Sequence, residues 1–210
     1  MVLISRLYAI LDSACFPSQN DLLANAGELA SAGVTLIQYR NKSSDARTML
    51  EQAIELRRQL RAGVPAPHEL RLIMNDRADL CLAAEFDGVH VGQVDLSPES
   101  VRKIIGPDRW LGVSTHNPEQ LREADLTSAD YLAIGPVFAT SSKDKPDPVV
   151  GLEGVRRARA LTRKPLVAIG GITRANAASV IEAGADSVAV ISDLLREPRK
   201  SAEEFFRILR

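Results

Sequence analysis

Eight short apolar runs, each followed by a stretch of helical periodicity, recur from one end of the chain to the other. They cover residues 7–11, 35–39, 71–74, 88–91, 111–114, 131–134, 166–169 and 187–191. Several are apolar at consecutive positions, as in Leu166-Val-Ala-Ile169 and Val188-Ala-Val-Ile191. Strands of that kind need cover on both faces, which a parallel sheet wrapped by helices supplies. Between the runs lie amphipathic stretches, such as Met49, Ala53, Leu56 and Leu60, with Leu50 and Ile54 widening the stripe. Eight βα units in 210 residues predict an α/β fold: a single (β/α)8 TIM barrel with parallel strands, spanning 1–210 as one domain. That length lies near the lower end of the usual roughly 200 to 400 residues. An open doubly wound sheet is the competitor, but no G-x-G-x-x-G follows the first run.

The punctuation agrees with this division. Asn117-Pro and Ser97-Pro read as N-caps with proline at the first helical position. Ser201-Ala-Glu-Glu204 before Phe205 and Phe206 reads as a capping box opening the last helix. Gly33 and Gly184 follow Ala-rich helices just before strands, where a left-handed C-terminal cap is wanted. Residues 61–69 form a Pro-containing loop rather than a domain boundary. Residues 139–150, rich in Ser, Lys, Asp and Pro, lack any period, and an irregular segment of that length in a compact domain is usually functional. It follows the sixth strand, on the C-terminal face where barrel active sites lie.

Charge narrows the partners. With 27 acidic and 26 basic residues the formal net charge is −1, without the basic surplus that nucleic-acid binding needs. Aromatics make up 4%, leaving few platforms for stacked bases. Cys15 and Cys81 show no metal-ligand spacing and are read as buried reduced thiols. Arg6 and Asp12 interrupt the apolar N-terminal run, no basic leader precedes it, and no stretch reaches the 18 apolar residues of a membrane span. The expectation is a soluble cytoplasmic protein acting on small molecules, without nucleic acid or membrane; oligomeric state is not legible.

In a barrel the chemistry stands at the C-terminal ends of the strands. The second run ends Gln38-Tyr-Arg-Asn-Lys42, and the period of two aims Gln38, Arg40 and Lys42 at one side. Two cations and an amide there suit a phosphorylated substrate. Taken alone, a basic strand end dissolving into solvent explains them better. The third run ends Asn75-Asp76, where Asp76 serves equally well as a helix cap near Ala78. Asp95 has no such duty, because Ser97 already caps the next helix. Two carboxylates on adjacent strand ends beside cations can share magnesium, which completes its shell with waters and phosphate oxygens.

The fifth run ends Ser114-Thr-His116, with Asn117 capping, so Ser114 and Thr115 carry no evident structural role. No acid is placed to orient a Ser–His pair. His116 reads as a loop residue, and His90 as a satisfied barrel histidine, while His68 carries no signal. Thr140, Ser141, Ser142 and Lys143 form either a donor cluster for phosphate oxygens or a solvated loop. The seventh run ends Gly170-Gly171 and opens a helix near Thr173; the eighth ends Ile191-Ser192. Loops after strands seven and eight are where barrels often bind phosphate on backbone N–H groups. The strand ends thus offer two anion sites, one with metal ligands and one without.

These segments resemble the thiamine-phosphate synthase family along almost the whole chain. The carriers are Gln38 to Lys42, Asn75 to Leu80, Asp87 to Gln93 with Asp95, Gly112 to His116, Gly135 to Phe138 with Thr140 to Lys143, Gly170 to Ile172, and Ala189 to Ser192. The resemblance implies condensation of a hydroxymethylpyrimidine diphosphate with a thiazole phosphate, or its carboxylated form, to thiamine phosphate and diphosphate. It implies that Gln38, Tyr39, Arg40, Asn41, Lys42, Asn75, Ser114 and Lys143 hold the pyrimidine diphosphate. Arg40, Lys42, Ser114 and Lys143 would also serve catalysis, and Asp76 and Asp95 would carry Mg2+. Thr140, Ser141, Ser142, Gly171, Ile191 and Ser192 would receive the thiazole phosphate. Asn41 stands where the family usually has an acid, and Ala139 where it usually has proline. Two other readings compete: a thiazole tautomerase of the same fold using His116, and a non-catalytic sensor of thiamine precursors.

Overall fold

The computed structural model describes residues 3–63, 70–140 and 147–210. Its strands are β1 (Leu7–Asp12), β2 (Leu36–Arg40), β3 (Arg71–Asn75), β4 (Gly88–Val91), β5 (Trp110–Thr115), β6 (Tyr131–Ile134), β7 (Leu166–Ile169) and β8 (Ser187–Val190). They close in sequence order into an all-parallel barrel, β8 returning to β1 through Leu7–Val188 and Ala9–Val190. The helices are α1 (Gln19–Ser31), α2 (Ala46–Gly63), α3 (Ala78–Ala83), α4 (Pro98–Ile105), α5 (Pro118–Asp125), α6 (Gly151–Leu161), α7 (Ala177–Glu182), α8 (Ser192–Leu195) and α9 (Pro198–Ile208). The (β/α)8 barrel expected from the alternation is present. None of the described helices is long and apolar enough to cross a membrane.

Strand alternation sorts the core into two layers. Tyr8, Ile10, Leu36, Ile73, Tyr131 and Val167 fill the barrel interior. Leu7, Leu11, Ile37, Tyr39, Leu72 and Met74 face outward, under the helices. The period of two therefore decides, on each strand, which side chains can reach the mouth and which pack beneath a helix.

Three buttresses of one design hold the opposite, N-terminal rim. Asp87, Asp130 and Asp186 immediately precede β4, β6 and β8. Each accepts the backbone N–H of the preceding strand, from Leu72, Leu111 and Leu166, at 2.7–2.8 Å. Each also receives an arginine from the helix preceding that strand: Arg61, Arg102 and Arg159. The same arginines donate to the carbonyls of Leu70, Arg109 and Lys164, two residues upstream of the clasped N–H. A carboxylate bonded to both a guanidinium and a strand N–H is a charge-assisted tie, and it recurs where barrels invest in stability rather than catalysis.

Ser97 and Asn117 cap α4 and α5 as expected, accepting from Ser100 and Gln120. Gly33 (φ 95°) and Gly184 (φ 110°) occupy the left-handed positions. The capping box at Ser201 does not form. The last helix begins at Pro198, and Ser201 is buried inside it with its N–H bonded to the Glu197 carbonyl at 2.8 Å. Proline at the first turn supplies the helical φ three residues early. Cys81 is buried, but Cys15 is exposed, in the short turn Ser13–Cys15 after β1.

Candidate active site

Gln38 and Arg40 project inward from β2, in line with their spacing. Gln38 is buried and donates from Nε2 to the Tyr8 hydroxyl at 2.7 Å. Arg40 is paired with Asp12, the last residue of β1, and Lys42 with Asp76 beyond β3. Tyr39 and Asn41 lie on the other side. Tyr39 donates to Gln52 of α2 at 2.6 Å, and Asn41 donates to Tyr39, Ser44 and Gln52 at 3.0–3.1 Å. Asn41 Oδ1 also accepts the N–H groups of Ser43 and Ser44, so this side chain shapes the loop after β2.

Asp76 is not a helix cap. It sits at φ 61°, and α3 starts at Ala78 after Arg77 without a side-chain cap. Its N–H bonds the His90 carbonyl at 2.8 Å, which holds the residue in a left-handed conformation that non-glycine residues seldom adopt. Such conformations collect at functional sites. Burial raises the Asp76 pKa, the Lys42 hydrogen bond opposes this, and the Asp95 charge raises it further. The two carboxylates therefore lie close enough to repel. Asp95 is held by the Gly92 N–H at 2.7 Å.

Asp12, Asp76 and Asp95 outnumber Arg40 and Lys42 at this mouth by one among the described residues. Asp12 escaped sequence reading because it ends an apolar run and reads only as an interruption. Asn75 supplies a further polar group: its Nδ2 is buried without a partner. A buried donor left unpaired is expensive unless something else satisfies it.

On β5, Ser114 has a structural contact after all, its Oγ lying 2.8 Å from His90 Nε2. Thr115 does too: buried, it donates to the Ala133 carbonyl at 2.8 Å. Gln93 donates to the Ser114 carbonyl at 2.6 Å, another contact the sequence did not announce. His90 is satisfied on both nitrogens, as expected. His116 bonds the Gly135 carbonyl at 2.6 Å and faces Asp147 at 3.4 Å. It lines a cavity of about 240 Å³ with Leu121, Val150 and Arg157, between α5 and α6. That cavity shares no residue with the cation–carboxylate cluster.

The glycine loop after β7 has Gly170 at φ 100° and Gly171 at φ 64°. A Cβ on Gly171 would meet Phe138 Cβ at 2.8 Å, so only glycine lets the two loops approach. The following helix opens at Ala177, not near Thr173. Asn176 has taken the Thr173 N–H at 2.8 Å and Asp193 the Arg174 N–H at 2.8 Å, folding the intervening residues into a turn. Ile191 follows β8 directly, and Ser192 is the first residue of α8. Thr140 ends the described part of its loop; Ser141, Ser142 and Lys143, like His68, lie outside the described residues.

Fold and strand-end chemistry together define the class: a (β/α)8-barrel enzyme with its polar groups gathered on the C-terminal face. A family profile described as thiamine monophosphate synthase matches residues 7–194. A thiamine-phosphate synthase of Koribacter versatilis is 60% identical over 207 residues, covering 97% of this chain and 95% of that protein. One from Chloroflexus aurantiacus is 44% identical over 188 residues, 89% of this chain and 83% of its own. Among solved structures, thiamine phosphate pyrophosphorylase from Pyrococcus furiosus superimposes with a TM-score of 0.84 at 34% identity, covering 97% of this chain and 95% of that one. The chain belongs to the thiamine monophosphate synthase family and is an enzyme of thiamine biosynthesis.

Proposed function

We propose that this barrel, as one domain over 1–210, joins a 4-amino-2-methyl-5-hydroxymethylpyrimidine diphosphate to a thiazole phosphate, releasing diphosphate and forming thiamine phosphate. Family membership supports the reaction type. The observation that carries the assignment to this mouth is the cluster of Arg40 with Asp12 and of Lys42 with Asp76 beside Asp95.

The donor set fits a magnesium ion. Asp76 and Asp95 are hard oxygen ligands, and their mutual repulsion is what a divalent cation relieves. Magnesium commonly takes one or two protein carboxylates and completes its shell with water and phosphate oxygens. Magnesium bound there would add positive charge against the diphosphate and ease its departure. The carboxylates of Asp12, Asp76 and Asp95 would otherwise oppose that anion, and by the family resemblance Lys143 would join Arg40 and Lys42 in binding it.

The chain's own groups then have defined tasks. Arg40 and Lys42 neutralise charge that accumulates on the leaving diphosphate. The Asn75 Nδ2, otherwise unpaired, donates to one of its oxygens. Gln38 and Ser114 orient the pyrimidine, whose amino group feeds electrons to the developing cationic methylene, so the path is largely dissociative. The thiazole nitrogen captures that carbon while Thr140, Ser141, Ser142, Gly171, Ile191 and Ser192 hold its phosphate. Positioning and exclusion of water carry the rate, and no protein nucleophile is used. Tyr39 and Asn41 support the β2 loop from behind. A cytoplasmic location goes with this reading.

The test is product analysis with purified protein, both phosphorylated precursors and magnesium. Thiamine phosphate and diphosphate in equal amounts are expected. Slow isomerisation of a thiazole carboxylate without diphosphate release would instead select the tautomerase, although the His116 contacts with Gly135 and Asp147 favour a loop-fastening role. Binding of a precursor without turnover would select the sensor.

A further inference from the structure

Five polar side chains from five strands meet inside the barrel below the mouth: Tyr8 of β1, Gln38 of β2, His90 of β4, Ser114 of β5 and Tyr131 of β6. They form one unbranched chain. Gln38 Nε2 lies 2.7 Å from the Tyr8 hydroxyl, and that oxygen 3.0 Å from the Tyr131 hydroxyl. Tyr131 lies 3.1 Å from His90 Nδ1, and His90 Nε2 lies 2.8 Å from Ser114 Oγ. Apolar Ile10, Leu36, Ile73, Ala133 and Val167 surround it. Glycine is required at 112, because a Cβ there would overlap both the Tyr131 ring and His90.

The proton count constrains this chain. His90 is buried with a hydroxyl, not a carboxylate, on each ring nitrogen, and such a site holds the neutral ring with one proton. Two arrangements fill all four links without stranding a proton inside. In the first, Gln38 N–H donates to Tyr8, Tyr8 to Tyr131, Tyr131 to His90 Nδ1, and His90 Nε2–H to Ser114. The Ser114 proton and the Gln38 carbonyl are then left for a ligand. In the second, every bond reverses: Ser114 spends its proton on His90, and Gln38 spends its carbonyl on Tyr8. The Gln38 amide is oriented with Nε2 toward the Tyr8 hydroxyl, and that orientation selects the first.

We propose that Tyr8, Tyr131 and His90 are positioning residues that lock Gln38 and Ser114 into one joint donor–acceptor pattern, and so set which pyrimidine the mouth accepts. This rests on the pyrimidine reading above. The held arrangement offers an acceptor at Gln38 and a donor at Ser114, complementary to an exocyclic amino group and a ring nitrogen. A 4-oxo analogue presents an acceptor where the amino group was. To satisfy it through Gln38 the amide must turn, and the whole chain must reverse with it.

The experiment has a substrate-free arm and a kinetic arm. In 15N-histidine-labelled wild type, NMR should find His90, assigned by its loss in His90→Asn, protonated at Nε2. Tyr131→Phe, which removes the acceptor's donor partner, should give a tautomer mixture. In the kinetic arm, Tyr8→Phe and Tyr131→Phe should each raise KM for the aminopyrimidine diphosphate about tenfold. Each should also shrink the preference over the 4-oxo analogue by a similar factor, with KM for the thiazole phosphate unchanged. A purely structural role would lower Tm while leaving tautomer and preference alone, and that result overturns the proposal. So does an Nδ1-protonated His90 in wild type. Turnover of neither pyrimidine by wild type, with the expected tautomer, overturns the functional reading and leaves the proton order standing.

Discussion

Asp95 and Asp76 repel each other in the metal-free protein, and this separates function from stability at a single residue. Burial is the main cause of the raised Asp76 pKa, and Asp95→Asn removes the charge repulsion that adds to it. It is expected to raise Tm without magnesium, to abolish the rise in Tm that magnesium gives wild type, and to lose turnover. Thermal scans with and without magnesium check this. Asn75 behaves similarly. Its Nδ2 has no partner, so Asn75→Ala should leave the unfolding free energy within about 1 kcal/mol of wild type. It should raise KM for the pyrimidine diphosphate about tenfold, the worth of one hydrogen bond to a charged group. The period of two on β2 made Gln38, Arg40 and Lys42 legible in the sequence. The same period opposes Tyr39 and Asn41, which entered only through the family resemblance. Asp12 was invisible because its partner Arg40 comes from the next strand, and strand pairing is a property of the closed sheet.

The Asp–Arg buttresses are the feature to test among the elements. Asp130→Ala would leave the Leu111 N–H and the Arg102 guanidinium without their shared acceptor. A loss of about 2–3 kcal/mol is expected, lowering Tm by roughly 4–12 °C for a chain of this size. Turnover measured well below Tm should be preserved, because the N-terminal rim is remote from the mouth. Eight strands and most helix starts were readable because buried parallel strands and proline-marked caps leave local signatures. The start of α9 was misread because two local signals competed, and Pro198 precedes Ser201. The helix after β7 was placed too early because Asn176 and Asp193 capture N–H groups that local sequence offered to a helix.

Over the whole molecule, the buried relay makes stability depend on pH. An exposed histidine titrates near 6.5, whereas burial holds His90 at about 4. Between those values the unfolded chain binds a proton that the fold does not. Stability is therefore full above pH ~6.5 and falls as pH drops towards 4, by up to about 3 kcal/mol. Urea midpoints between pH 7 and pH 4.5 should show the decline, with a shallower slope in His90→Asn. The net charge of −1 conceals a segregated molecule. Carboxylate–arginine ties brace one rim, while the other gathers Asp12, Asp76 and Asp95 against Arg40 and Lys42. Composition carries no trace of that division; strand order creates it.

The most direct test of this mouth as the reacting site is diphosphate release as a function of magnesium, in wild type and in Asp95→Ala, with both precursors present. Wild type should show magnesium-dependent release, and Asp95→Ala should lose it by more than a hundredfold while keeping the circular dichroism and cooperative unfolding of the barrel. Release by a folded Asp95→Ala at the wild-type rate and magnesium dependence would contradict the account.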